Sequence, residues 1–326
     1  MLWPFIRFIC SGLLVTAPLL TRTLLAAATP DPCIKISGLE FVDPGDALAC
    51  LKSFPFNETL RQNILSVVSR VFDFYTFEDF YLNSPPPFEE STTDIRAQIR
   101  RIESTQYAVS IFPTPSEAII PLICLLPSKT DYDFNRDLYD FTTQLNDGHT
   151  RTSIYCHVGS SRPYSVLSGW LPNCYMTFGN ILPAPIVILD TGVFIIPNSV
   201  ELLSRYGDDF TGLLDAKGFD WKRLAGAEVI EIGGLPVRQY IDKIASTVSG
   251  NFLDHNIRVN SVVSGYQISG SSLSQSLGDH ACELFPKQTS LNFSLIPVGS
   301  TSGAPEQVNV PFVAFFVGNG FTDGPS

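Results

Sequence analysis

Acid–base chemistry near neutral pH falls first to histidine, and the chain has four: His149, His157, His255 and His280. Only His149 stands in a telling context. It follows Asn146-Asp147-Gly148, a helix-stop sequence, and precedes a polar, strand-like run from Thr150 to Tyr155. On such a turn an imidazole can face a cleft, where its titration near neutrality suits general-base work. Asp147 lies two residues away and is expected to point elsewhere on the turn. By spacing alone, a lone histidine is more often a surface or structural residue. Common signatures are missing from the sequence: HExxH of zinc proteases, the GxSxG elbow and the GxxxxGK[ST] phosphate loop. The glycines from Gly318 to Gly324 miss the dinucleotide fingerprint by one residue and precede no helix. No CxxC occurs, so neither a thioredoxin-like site nor a paired-thiolate zinc site is signalled. No cofactor or metal is expected.

Elements must hold that turn in place. Residues 29–56 read as an irregular, cysteine-stapled arm. Asn57 then looks like a helix N-cap with Glu58 in the first turn, followed at helical spacing by Leu60, Ile64, Val67, Val68, Val71 and Phe72. A second helix is predicted from about Asp94, capped by Thr92 or Thr93, with Ile95, Ile99 and Ile102 on one face. A third is predicted over 133–146, with Phe134, Leu138, Phe141 and Leu145 inward and Gly148 supplying a left-handed stop. The first half is therefore mostly helical. From Pro183 the pattern turns to strands: 186–189 and 193–196 around Asp190-Thr191-Gly192, then 227–232, 290–296 and 308–317. One clear helix follows Pro236, with Val237, Tyr240, Ile241, Ile244 and Val248 at helical spacing. The Ser/Gly-rich stretch 264–276 reads as a mobile loop. Residues 186–300 thus form a small, β-rich mixed domain.

Composition bounds the setting. Over 326 residues, 44% are hydrophobic and 16% charged, which fits a packed core and excludes a disordered or coiled-coil chain. A net charge of −11 without a Lys/Arg cluster argues against nucleic acid as a partner and gives no support for anionic membrane surfaces; no membrane partner is expected. Residues 1–28 read as a secretory signal peptide: Arg7, an apolar run from Phe8 to Thr21, and Ala26-Ala27-Ala28 for cleavage. Secretion makes disulfides expected. Of the cysteines after the leader (Cys33, Cys50, Cys124, Cys156, Cys174 and Cys282), Cys33–Cys50 is the favoured pair, since it would staple the arm. Asn57-Glu58-Thr59 and Asn292-Phe293-Ser294 permit N-glycosylation.

Leu145-Asn146-Asp147-Gly148-His149-Thr150, preceded by Tyr132-Asp133-Phe134, resembles the tail-specific (C-terminal-processing) serine peptidases, in particular secreted fungal relatives of the chlamydial protease-like activity factor. Further matches are the run from Cys50 to Asn57, Leu182-Pro183-Ala184-Pro185-Ile186-Val187, and the run from Ala225 to Pro236, which looks like the strand–turn of a PDZ-like module. The resemblance implies an α+β, multidomain chain. A mainly helical domain (29–185) would carry the DGH motif, a PDZ-like domain (186–300) would follow, and residues 301–326 would begin a catalytic α/β core truncated here. It implies that His149 is the general base, while the nucleophilic serine and an orienting glutamate lie beyond residue 326. No later serine sits in a nucleophile's context; Ser271, Ser272 and Ser274 read as loop polarity. The family's aromatic-Pro-Asn-Cys segment looks like Trp170-Leu171-Pro172-Asn173-Cys174, displaced from His149 by an extra stretch, 152–169. The expected function is the N-terminal portion of a secreted serine endopeptidase acting on a peptide or protein. The alternative is a non-catalytic, secreted peptide-binding protein that uses the PDZ-like domain, and a plainer one is a secreted structural glycoprotein.

Overall fold

A computed structural model describes residues 31–54, 56–105, 107, 130–150, 178–269, 272–283 and 288–316. These all belong to one compact unit, Asp31–Ser326. The expected signal peptide (1–28), His157, Cys124, Cys156, Cys174, the stretch 152–169 and residues 317–326 lie outside the described residues.

The class is α+β. The chain opens with β1 (Phe41–Val42) and α1 (Pro44–Ser53), where an irregular arm was expected. Pro44 takes the first helical position and Asp43 accepts a hydrogen bond from the Gly45 amide at 2.8 Å, so Pro44-Gly45 starts a helix instead of breaking one. The Cys33–Cys50 disulfide ties this helix to the preceding turn. Helix α2 (Glu58–Phe72) is capped by Asn57, as its sequence predicts. It is followed by α3 (Glu78–Leu82) and α4 (Ile95–Ser104). The cap of α4 is Asp94, whose carboxylate accepts from the Ala97 amide at 2.7 Å, not Thr92 or Thr93. Helix α5 (Asp131–Thr143) starts earlier than predicted because Thr130 and Asp133 form a reciprocal capping box. The apolar stripes of α2, α4 and α5 meet in one cluster: Leu65, Val68 and Phe72 against Ile95, Ile99, Ile102, Phe134, Leu138, Phe141 and Leu145.

Strand β2 (Phe178–Ile181) leads into the hairpin β3 (Ile186–Leu189) and β4 (Gly192–Ile195), as its sequence predicts. Helices α6 (Ser199–Ser204) and α7 (Asp208–Ala216) come next, then β5 (Glu228–Ile232), β6 (Leu235–Pro236) and α8 (Val237–Thr247), which Pro236 precedes. After α9 (His255–Val262), the supposed mobile loop contains a hairpin, β7 (Tyr266–Ser269) with β8 (Ser272–Gln275). Strand β9 (Cys282–Glu283) and β10 (Ser290–Ile296) follow. The run 308–317 divides into β11 (Glu306–Pro311) and β12 (Val313–Phe316), parted at Phe312.

One antiparallel sheet runs β11-β10-β5-β4-β3, with β6 paired to β5. A second runs β1-β12-β2-β9 and so joins residues 41–42 to 313–316. The expected boundary between residues 300 and 301 falls in the connection between β10 and β11, which are hydrogen-bonded partners. Phe210, Trp221, Phe293 and Phe312 lie in the core under the first sheet. Among the described residues no helix is long and apolar enough to cross a membrane.

Candidate functional site

The polypeptide leaves α5 through a tight turn that delivers His149. Asn146, not Gly148, takes the left-handed conformation at φ 51°, and its Nδ2 donates to Ser91 Oγ at 3.0 Å. Asparagine tolerates this region because its short polar side chain bonds locally. Gly148 serves a different need: its amide donates to the Asn251 carbonyl at 3.2 Å, and a Cβ there would lie only 3.2 Å from the same oxygen. The loop after α8 therefore presses directly against the turn. That loop is itself packed tightly, since a Cβ on Gly250 would sit 2.4 Å from the Thr143 carbonyl oxygen.

His149 stands out from this platform with its side chain 99% exposed. Asp147 does not point elsewhere, as the turn suggested. Its Oδ1 accepts from the His149 amide at 2.9 Å and lies 3.4 Å from the ring Nδ1. An aspartate that accepts from the amide two residues on is an Asx turn, and that local bond draws the carboxylate toward the ring. Its Oδ2 receives the Thr150 hydroxyl at 2.6 Å and the Tyr75 hydroxyl at 3.4 Å. Against the desolvation of its half-buried position, the bonds from Thr150 and from the His149 amide hold the Asp147 carboxyl below the usual carboxylate range. Tyr75 stacks on Tyr81 at 5.9 Å and meets Phe77 edge-on at 5.8 Å. Burial pushes both the Tyr75 and the Tyr81 phenols up, so they stay neutral donors. Among the described residues, Asp147 is the ring's one polar partner.

The other described histidines are placed differently. His280 is buried, with Nδ1 3.1 Å from the Tyr240 hydroxyl and Nε2 3.3 Å from the Ala184 carbonyl. Burial pushes it down to about 4, so it is a neutral core residue. His255 lies between two carboxylates: Nδ1 is 2.9 Å from Glu90 and Nε2 2.7 Å from Asp242. Beside it, Arg258 is fully buried and donates to the carbonyls of Ala245 (3.0 Å), Phe252 and Leu253 (both 2.7 Å), while its Nη2 pairs with Glu90. Arg258 thus shapes the loop that carries Asn251.

Of the remaining expected sites, Cys33 and Cys50 form their disulfide, while Cys282 is a free thiol. Asn57 is exposed, with Oδ1 accepting from Leu60. Asn292 is exposed on β10, with Oδ1 accepting from Asn309 across the β10–β11 pair at 2.7 Å. Among the described residues no group of three or more His, Cys, Asp or Glu is arranged to hold a metal ion. Sequence reasoning missed the support for His149: Asp147, whose Asx turn was legible in Asn-Asp-Gly, and Tyr75, Asn251 and Arg258, which carry no local signal. No model of a known protein family matches the chain, and no curated protein matches it.

Proposed function

We propose that the chain supplies the general base of a serine-type peptidase. His149 takes the proton of a serine hydroxyl as that oxygen attacks a peptide carbonyl, and returns it to the leaving amine. The observation that supports this reading is the placement of His149 on a braced turn: one ring nitrogen faces a carboxylate, and the side chain is open to solvent. The order of motifs along the sequence agrees with it. On this reading the nucleophilic serine comes from outside residues 1–326, the segment 186–300 is a PDZ-like module that admits the peptide, and the protein is exported and glycosylated at Asn57 and Asn292. The 326-residue chain alone then cuts no peptide bond. A base by itself contributes about 10²–10⁴-fold, against roughly 10⁶-fold or more for a complete enzyme.

A second reading is peptide binding without hydrolysis. It is favoured by the absence, among the described residues, of any serine hydroxyl bonded to the His149 ring. Strand β3 ends the larger sheet, and an extended peptide could add there beside the bond from the Ser264 amide to the Ile186 carbonyl.

A serine-directed fluorophosphonate probe separates the two. The 326-residue chain is expected to stay unlabelled, and a longer product of the same gene to label in a way that His149→Ala abolishes. Silence of the longer product gives the binding reading. His149-dependent labelling of the 326-residue chain would show a complete site within it and overturn the proposal of a divided one.

A further inference from the structure

The turn that presents His149 also presents an acid. We infer that Asp147 is the positioning residue for His149, holding the imidazole in the tautomer protonated at Nδ1 so that Nε2 keeps its lone pair for the incoming proton. This rests on the reading of His149 as the base. It gives the orienting task to a carboxylate two residues away, where the family resemblance implies a distant glutamate.

The carboxylate is fixed before any substrate arrives. Oδ1 is held by the His149 amide at 2.9 Å and stands 3.4 Å from Nδ1. Oδ2 is held by Thr150 at 2.6 Å and by Tyr75 at 3.4 Å. Tyr75 is in turn braced by Phe72 edge-on at 5.4 Å and by the stacked ring of Tyr81. These donors favour the ionised form of Asp147, and an ionised carboxylate can only accept. A neutral imidazole turned toward it must therefore place its single proton on Nδ1. Free histidine prefers the opposite tautomer, with the proton on Nε2, which would block the nitrogen a base needs. Which nitrogen carries the proton is set by the bond the other one makes. Among the described residues nothing competes with Asp147 for Nδ1. At 3.4 Å the ring contact is longer than a well-formed hydrogen bond, and catalytic bonds of this kind often tighten once substrate binds.

The test reads the tautomer directly. Long-range proton–nitrogen correlation spectra of the 15N-labelled 326-residue chain are recorded at a pH where the imidazole is neutral. The His149 signals are identified by their loss in His149→Gln. The wild-type chain is expected to show Nδ1 as the protonated nitrogen in the majority species. Asp147→Asn, whose amide can donate toward Nδ1, is expected to reverse that majority. Tyr75→Phe, which leaves the carboxylate but removes one of its holders, should shift it part of the way. If Asp147→Asn does not fold, Thr150→Val replaces it, again with a partial shift expected. A tautomer ratio that is the same in the wild type and in every folded variant overturns the inference. Failure of the peptidase reading is a separate event: the probe experiment would be silent while the tautomer still followed Asp147.

Discussion

Replacing Arg258 by methionine tests how the platform under His149 is held. Methionine keeps much of the side chain's length and apolar stem, so little cavity opens, but every donor is lost. Three carbonyls, those of Ala245, Phe252 and Leu253, lose their guanidinium partner. An intramolecular hydrogen bond is worth about 0.5–1.5 kcal/mol net, and an acceptor left buried and unpaired costs about 1–3 kcal/mol. Ala245 is fully buried and bears the larger figure, whereas Phe252 is 44% exposed, so water can replace part of what its carbonyl loses. Glu90 is about half exposed and re-solvates at small cost. The expected destabilisation is therefore about 2–4 kcal/mol, a large share of a typical total of about 5–15 kcal/mol. Urea unfolding followed by fluorescence gives the number from the midpoint at constant slope. Glu90→Gln keeps an oxygen that can accept from the buried Arg258 Nη2, and should cost less than Arg258→Met. If Arg258→Met costs less than about 1 kcal/mol, or if Glu90→Gln costs as much, the carbonyl bonds are not what holds the loop, and the argument fails.

Three further predictions concern neighbouring features. For His255, burial opposes the charge, but Asp242 and Glu90 outweigh it and raise its pKa above the ordinary value of 6.5; Arg258 is the opposing cation beside it. A raised native pKa contributes stability that is fully present below about 6.5 and is lost as pH rises through the native value, so His255→Gln should cost more at pH 5.5 than at pH 8.5. Equal costs at the two values in chemical denaturation would contradict that linkage. Gly250→Ala puts a methyl 2.4 Å from the Thr143 carbonyl oxygen and should destabilise by about 1–3 kcal/mol through overpacking; an unchanged melting temperature would show that the loop yields freely. Opening the Cys33–Cys50 disulfide, which closes a loop of 17 residues' separation, should cost about 3 kcal/mol on the chain-entropy account, checked by comparing the Cys33→Ala/Cys50→Ala variant with the oxidised chain.

Local rules made some elements legible and left others hidden. The stripes of α2, α4 and α5 repeat every three to four residues, and their buried faces coincide with the apolar positions in the sequence. The β3–β4 hairpin announced itself through Asp190-Thr191-Gly192. Helix α1 did not, because Pro44-Gly45 looks like a breaker until Asp43 is recognised as its cap. The β7–β8 hairpin was obscured by Ser and Gly, which signal loops, and its apolar Tyr266, Ile268 and Leu273 remain largely exposed. The division of 308–317 was hidden for a different reason: β11 and β12 pair with strands of different sheets, and strand partners are not written locally. At the site, His149 could be singled out from its turn. Tyr75, 72 residues away from Asp147, could only be found in three dimensions.

The pairing of β1 with β12 also sets an order of events during synthesis. Phe41 lies opposite Phe315, 274 residues later in the chain. At about 5–20 residues per second, that partner emerges on the order of 15–50 s after β1 does. The helical cluster, drawn from residues 56–145, needs no such wait and can condense from local contacts. The cluster around Cys33 and Cys50 is different, because Ala314 of β12 and Phe178 of β2 complete it. A nascent chain can therefore close its first disulfide while the apolar surface around that bond is still bare. During this interval Phe41 and Val42 lack the strand that pairs them in the finished fold, so the first segment made is among the last to be completed.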